Sequence, residues 1–370
     1  MENLSITPMS EWGLGLGDRV NISGPCSAET PEQVMQTVQG VAKHDVQIIR
    51  AGIWKPRTRP NSFEGVGSVG LKWLKDAGKA VDKPVCCEVA NVKHVYEALR
   101  GGINILWIGA RTTTNPFAVQ EIADALDGVD IPVMVKNPVN PDLNLWLGAL
   151  ERLNKKGITK LAAIHRGFSV HNEKKYRNNP MWQIPIELKR KLPGMPLICD
   201  PSHICGNRSL LQQVSQKALD LNFDGLMLES HITPDKALSD AKQQVTPERL
   251  GEILGELTYR NLTSDNPQFT SQLEHLRDEI DDLDHKIIDQ LVKRMGIARQ
   301  IGLYKKENNI TILQPGRWEE IISDRVGYGK KQGLSDDLLG EILKLIHQES
   351  IRHQTKVMNE EVQILREKKG

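Results

Sequence analysis

Arg50, Lys55, Arg57 and Arg59 fall within ten residues of the stretch IIRAGIWKPRTRP, which Pro56 and Pro60 interrupt. Prolines at that spacing forbid a helix, so these cations sit at the exit of a strand and in the loop after it. A guanidinium fork matches phosphate and carboxylate geometry, and flanking prolines hold it still, which points to a fixed anion. A plain solvated basic loop is the alternative. Further cations end other short apolar runs: Arg111 in GAR, Lys136 in VKNP and Arg166 in HRG. If Arg50, Lys55, Arg111, Lys136 and Arg166 converge, they repel one another unless a small ligand with more than one negative group lies between them. Cys26 in GPCS, His203 in DPSH, Glu229 in LES and Asp240 in ALSDAKQ stand at run ends as well. Singly, each has an ordinary role, such as packing for the cysteine or helix capping for the aspartate. Together they offer S, N and O donors that suit a divalent transition metal: Mn, Fe, Co or Zn.

Such side chains need a scaffold that brings many segments to one rim. From about residue 18 to 260, apolar runs alternate with amphipathic stretches. The runs are Val20–Ser23, Val46–Ala51, Pro84–Val89, Ile103–Ala110, Pro132–Lys136, Lys160–His165, Pro196–Cys199 and Gly225–Leu228. Alternation of this kind implies a parallel sheet, and eight units in this length fit a closed (β/α)8 TIM barrel. A doubly wound open sheet also satisfies the alternation. The barrel is preferred because each run ends in a reactive or charged side chain, among them Arg50, Glu88, His165 and Arg166, as a barrel's active rim requires. Residues 261–270, NLTSDNPQFT, read as a polar linker, so the domains are expected at 1–260 and 271–370. Beyond the linker, Leu273, Leu276, Ile280, Leu283, Ile287 and Leu291 repeat at helical steps. Breaks at Pro315 and at Gly333 with Ser335 divide this C-terminal region into three helices. The first and last are too long to bury their own apolar faces, which implies an all-α domain that dimerises.

Composition narrows the classes. Lys and Arg number 48 against 47 Asp and Glu, so no net field draws nucleic acid or an acidic membrane. The start shows no signal pattern, no run is long enough to span a bilayer, and five cysteines without framework spacing suit a reducing cytoplasm. Cys86, Cys87, Cys199 and Cys205 are read as packing.

Taken in order, GPCSAE, KPRTRP, GAR, VKNP, HRGF, DPSH and ALSDAKQ resemble the type I (beta subclass) 3-deoxy-D-arabino-heptulosonate 7-phosphate (DAHP) synthases across residues 18–258. The resemblance implies a metal held by Cys26, His203, Glu229 and Asp240 that polarises an aldehyde. It also implies that Arg111 and Arg166 hold the phosphate of phosphoenolpyruvate, with Arg50, Lys55 and Lys136 on its carboxylate side. Arg57 and Thr58 would take the phosphate of erythrose 4-phosphate. Glu88 and Lys136 are candidates for placing the water that attacks C2, and Glu88 could equally serve to neutralise the cations around it. The related synthase that uses arabinose 5-phosphate is the nearest rival, and KPRT is the feature that separates them. The barrel pattern starts so early that no N-terminal regulatory domain of the kind some relatives carry is expected.

The stretch LRDEIDDLDHKIIDQLVKRMGIARQIGLYKK resembles the all-helical chorismate mutases, over about 90 residues from Leu273. This implies substrate binding by Arg277, Arg294, Lys305 and Arg317, with Ser350 and Gln354 as the polar pair of the third helix. Arg294 and Lys305 are eleven residues apart, about three whole turns, and share a face. Arg277 lies roughly 25 Å from Arg294 along the helix and about 100° around it, so it is expected to reach a partner's pocket. Arg277 and Arg294 would grip the carboxylates of chorismate, while Lys305 and Gln354 stabilise charge on the breaking ether oxygen. Two positions depart from the family pattern. Gln314 replaces an acidic residue, and Trp318 replaces the Glu that would receive the substrate hydroxyl. The expectation is a bifunctional shikimate-pathway enzyme whose helical half also mediates feedback by prephenate; a helical half that is chiefly a chorismate or prephenate sensor is the alternative.

Overall fold

The computed structural model describes residues 4–55 and 62–367 of the chain. The chain divides into two compact units, Met1–Leu262 and Thr263–Gly370. In the first, eight strands close a parallel barrel in sequence order: β1 (Val20–Gly24), β2 (Ile48–Arg50), β3 (Val85–Val89), β4 (Ile105–Ile108), β5 (Val133–Lys136), β6 (Leu161–His165), β7 (Leu197–Cys199) and β8 (Gly225–Glu229). Closure is made by β1 against β8, from Val20 opposite Gly225 to Gly24 opposite Glu229. The open-sheet alternative is thereby excluded. Each strand lies within, or one residue beyond, the run expected for it, and the outer residues of the longer runs belong to loops.

Nearly all strand residues are buried, because one face packs on the helices and the other fills the barrel. The inner set includes Ile22, Ile48, Cys86, Ile105, Trp107, Met134, Ala162, Ile164, Ile198 and Met227. The intervening residues, among them Ile49, Cys87, Leu106, Val135 and Ala163, join the cluster beneath the helices. Met9, Trp12 and Leu16 pack with the inner set, a use of the N-terminal segment that no periodicity in its residues announces. Several of the barrel helices begin at side-chain caps: Thr30, Asn91, Asn115, Asp142, Asp200 and Thr246 each accept a backbone N–H, four of them just before a proline. Gly24 has φ +147°, and a Cβ there would stand 2.1 Å from the Arg50 carbonyl oxygen. Only glycine lets β1 pass β2 so closely at its exit.

In the second unit three helices run Pro267–Glu307, Pro315–Lys331 and Asp336–Glu367. Asn266 caps the first by accepting from the amides of Gln268 and Phe269, so that helix starts inside the stretch expected to be linker. Ala298, Ser350, Gln354 and Val357 are buried between helices, whereas Leu276, Ile280, Leu283 and Ile287 are each about half exposed. No helix among the described residues is long and apolar enough to cross a membrane.

Candidate active sites

Alternation along the strands places the chemistry of the barrel. Residues two positions beyond an inward side chain face inward again. Arg50 follows Ile48, Glu88 follows Cys86, Lys136 follows Met134, Arg166 follows Ile164 and Glu229 follows Met227, so each continues an inner row at its strand's C-terminal end. His165 occupies the opposite parity. It is fully buried, with its ring tilted against Trp146, Phe168, Trp182 and Phe223, outside the site.

At the rim, ligand atoms of Cys26, Glu229 and Asp240 all lie within 4.8 Å of one another. Cys26 Sγ is 3.6 Å from Asp240 Oδ2. His203, the fourth expected ligand, falls just outside this group: its Nε2 is 3.9 Å from Glu229 Oε1 and its Nδ1 2.8 Å from Asp200 Oδ2. Burial works against the charge on Glu229, but His203, Arg50 and Lys55 outweigh it and hold the carboxyl below its ordinary value. Asp240 is held low in the same way, by Arg177, His203 and Lys55 against burial. Burial and then Glu229 push the Cys26 thiol up to about 12, with Lys55 and Arg50 opposing them. A buried thiol, two ionised carboxylates and an imidazole at their edge form a donor set that fits a divalent transition metal.

Arg50 and Lys55 belong to this cluster more than to an open rim. Arg50 donates to Glu229 Oε1 at 3.0 Å and to the Cys26 carbonyl at 3.1 Å, and its guanidinium lies 4.9 Å from the Trp107 ring centre. Lys55 Nζ is 3.0 Å from both the carbonyl oxygen and Sγ of Cys26. The other cations line an adjoining cavity of about 340 Å³ with Glu88, Arg111, Lys136, Arg166, Arg177 and His203 in its wall. Burial, with Arg177 and Arg111 adding repulsion against the pull of Asp200, lowers the Arg166 guanidinium to about 10. Glu88 accepts from Trp107 Nε1 at 3.0 Å. It also lines a second cavity, of about 370 Å³, with Trp54, Lys55, Glu64, Asn91 and His94. Arg57 and Thr58 lie outside the described residues.

Asp200, Arg177, Gln243 and Asn137 complete the site without having stood out in the sequence. Asp200 accepts from Lys136 Nζ at 2.7 Å while facing His203, and it stays ionised despite full burial because those two offset the desolvation. It opens the DPSH motif, and that was the available signal. Arg177 pairs with Asp240 Oδ1 at 3.0 Å, and Gln243 donates to Glu229 Oε2 at 2.6 Å. Asn137 accepts from the Arg166 amide at 2.7 Å and donates to the Gly167 carbonyl at 2.9 Å, tying the exits of β5 and β6 together.

The helical unit has its own cavity, of about 500 Å³. Arg294, Lys305, Gln314, Trp318, Ser350 and Gln354 line it, so the structure brings together four expected site residues and both departures from the family pattern. Arg294 donates to Ser350 Oγ, and Lys305 donates to the Ile312 carbonyl at 2.6 Å. Gln354 is buried and its Oε1 lacks a hydrogen-bond partner. Arg277 is exposed on the first helix and does not line this cavity. The side chain of Arg317 lies outside the described set.

Comparison with known proteins agrees with this division. Residues 3–263 match the model described as the DAHP synthetase I family, and residues 276–355 match that of chorismate mutase type II. A phospho-2-dehydro-3-deoxyheptonate aldolase of Thermotoga maritima is 30% identical over 253 residues, covering 68% of this chain and 73% of that one. A 2-dehydro-3-deoxyphosphooctonate aldolase of Desulfotalea psychrophila is 26% identical, covering 64% and 87%. The T-protein of Haemophilus influenzae is 33% identical over 82 residues, 22% of each chain. Among solved structures, the DAHP synthase of Thermotoga maritima superposes with a TM-score of 0.60 at 30% identity, covering 66% of this chain and 70% of that one.

Proposed function

Because the chain belongs to the DAHP synthetase I family and carries a chorismate mutase domain C-terminal to it, we propose that this enzyme condenses phosphoenolpyruvate with erythrose 4-phosphate and also rearranges chorismate to prephenate. The observation that carries the first activity is a cavity walled by Arg111, Lys136, Arg166 and Arg177 beside the Cys26, Glu229 and Asp240 cluster. Lys136 and Arg177 are paired with Asp200 and Asp240 at its edge, and Arg111 and Arg166 are assigned to the phosphate of the polyanion. Lys136, with Arg50 and Lys55 behind it, faces the carboxylate end. The aldose phosphate occupies the second cavity, which shares Glu88 with the first, and its phosphate is assigned to Arg57 and Thr58.

Cys26, Glu229, Asp240 and His203 would hold the divalent ion, which when bound supplies a Lewis acid for the aldehyde oxygen. The enol carbon forms a C–C bond to the aldehyde carbon, whose oxygen takes a proton, and C2 becomes electron-poor. Glu88 and Lys136 place water against C2; the added water loses one proton to leave a hydroxyl, and as the C2–O bond to phosphate breaks, that hydroxyl passes its proton to the departing phosphate and becomes the keto oxygen. Competition between erythrose 4-phosphate and arabinose 5-phosphate tests the substrate, and a preference for the five-carbon sugar would overturn it. Chelation should abolish condensation yet leave chorismate consumption intact, since that rearrangement needs only carboxylate grips and a stabilised ether oxygen.

For the rearrangement, Arg294 holds a carboxylate, Lys305 and Gln354 meet the ether oxygen, and Ser350 fixes Arg294. Arg317 and a partner chain's Arg277 complete the grip. Gln314 and Trp318 also favour a sensing role, in which bound prephenate restrains the condensation. Arg294→Leu in the full chain should then relieve prephenate inhibition; unchanged inhibition would end that proposal.

A further inference from the structure

The cavity of the helical unit contains a cation that none of the assignments above uses. Arg325, on the second helix, lines it together with Arg294 and Lys305 from the first. No carboxylate stands among the described residues that line this cavity. Three cations lining one cavity, with no acidic residue among its described lining, mark a site for more than one negative group. Arg294 feels this directly: burial, then repulsion from Arg325, holds its guanidinium below the ordinary value. Trp318 stacks on His347 in the same cavity, ring centres 4.0 Å apart and planes 20° from parallel, offering a flat wall to a ring. The unpartnered Oε1 of Gln354, a residue only 8% exposed, is a second mark of a polar ligand.

We propose that Arg325 is a ligand-binding residue of this cavity, holding one carboxylate of a small dicarboxylate whose ring lies along the Trp318–His347 pair. The assignment rests on the chorismate reading of the cavity and adds to it a binding cation from the same chain. Calorimetric titration of the full-length protein with prephenate tests it, using wild type, Arg325→Leu, Arg325→Gln, Arg325→Lys, Arg294→Leu and Arg352→Leu. Arg352 is exposed and paired with Glu349 away from the cavity, so its variant removes the same charge without touching the site. Arg325→Leu and Arg325→Gln should weaken binding about tenfold or more, the scale of one lost charge-assisted hydrogen bond. Arg325→Lys should recover part of the loss, and Arg352→Leu should stay within about twofold. Both neutral Arg325 variants binding like wild type while Arg294→Leu fails to bind would overturn the Arg325 assignment and leave the chorismate site standing. Prephenate binding that is absent in wild type, or indifferent to Arg294→Leu, would end the chorismate reading and this assignment with it.

Discussion

Asp200 shows how much one buried carboxylate can organise. It holds the Lys136 ammonium at 2.7 Å and faces His203 Nδ1 at 2.8 Å, so it orients both a proposed water-placing cation and a proposed metal ligand. Its own backbone amide donates to the His165 carbonyl at 2.7 Å, which fastens it to the exit of β6. Asp200→Asn keeps the shape but leaves Lys136 buried beside a neutral amide, and it removes the negative charge that faces the imidazole. Metal affinity should fall about 10- to 100-fold, as for other carboxylates behind a ligating histidine, and condensation should fall with it. Competition with a chromophoric chelator measures the first effect and initial rates the second. Retained affinity would mean that His203 takes its orientation from elsewhere. Lys136 was legible in the sequence because a cation closes an apolar run; Asp200 closes one too, but an aspartate before proline is also an ordinary helix cap, and here it serves as both.

At the scale of the strand, period-two alternation sorts neighbouring residues into different surroundings. Arg166 and His165 are adjacent in HRG, yet Arg166 lines the cavity and His165 is sealed among aromatic rings on the other side. Apolar runs made the strands and their order legible, and the residues that end each run made the rim legible. Assigning parity required knowing which residues fill the barrel, and continuous apolar runs conceal that because both faces are buried. Arg177 left no signal, since it reaches Asp240 from a loop without periodicity. The parity of His165 has a thermodynamic consequence. Burial drives its imidazole down to about 3, against about 6.5 in an unfolded chain. Between those values the unfolded state binds the extra proton, so this residue makes stability rise with pH; its effect is absent above about pH 7 and costs stability progressively as pH falls. From pH 7 to 5 the loss should be about 2 kcal/mol on that account. Denaturant midpoints of wild type and His165→Phe at both pH values test this: the variant should lose less by about that amount, and parallel losses would show that a neighbour satisfies the proton.

At the scale of the whole molecule, the second unit leaves an apolar surface that its own three helices do not cover. Leu276, Ile280, Leu283 and Ile287 follow one another at steps of four, three and four, and each is between 46% and 58% exposed. The first helix has 41 residues, about 60 Å of length, and its buried positions, Ala298 and Gly302, both lie toward its C-terminal end. A continuous stripe on the other half is the surface an associating helix covers, since scattered apolar residues are common on proteins but a helical row of them is not. Arg277 stands beside that row, exposed and away from the cavity of its own chain. A second copy seated along the stripe would cover the leucines and isoleucines and carry its Arg277 toward this chain's cavity, joining assembly to catalysis. Sedimentation should therefore give a dimer. Ile280→Lys with Ile287→Lys should shift it toward monomer and lower chorismate turnover together, because both follow from the same contact. Monomers that keep full chorismate turnover would show that each helical unit works alone, and that Arg277 has no part in the reaction.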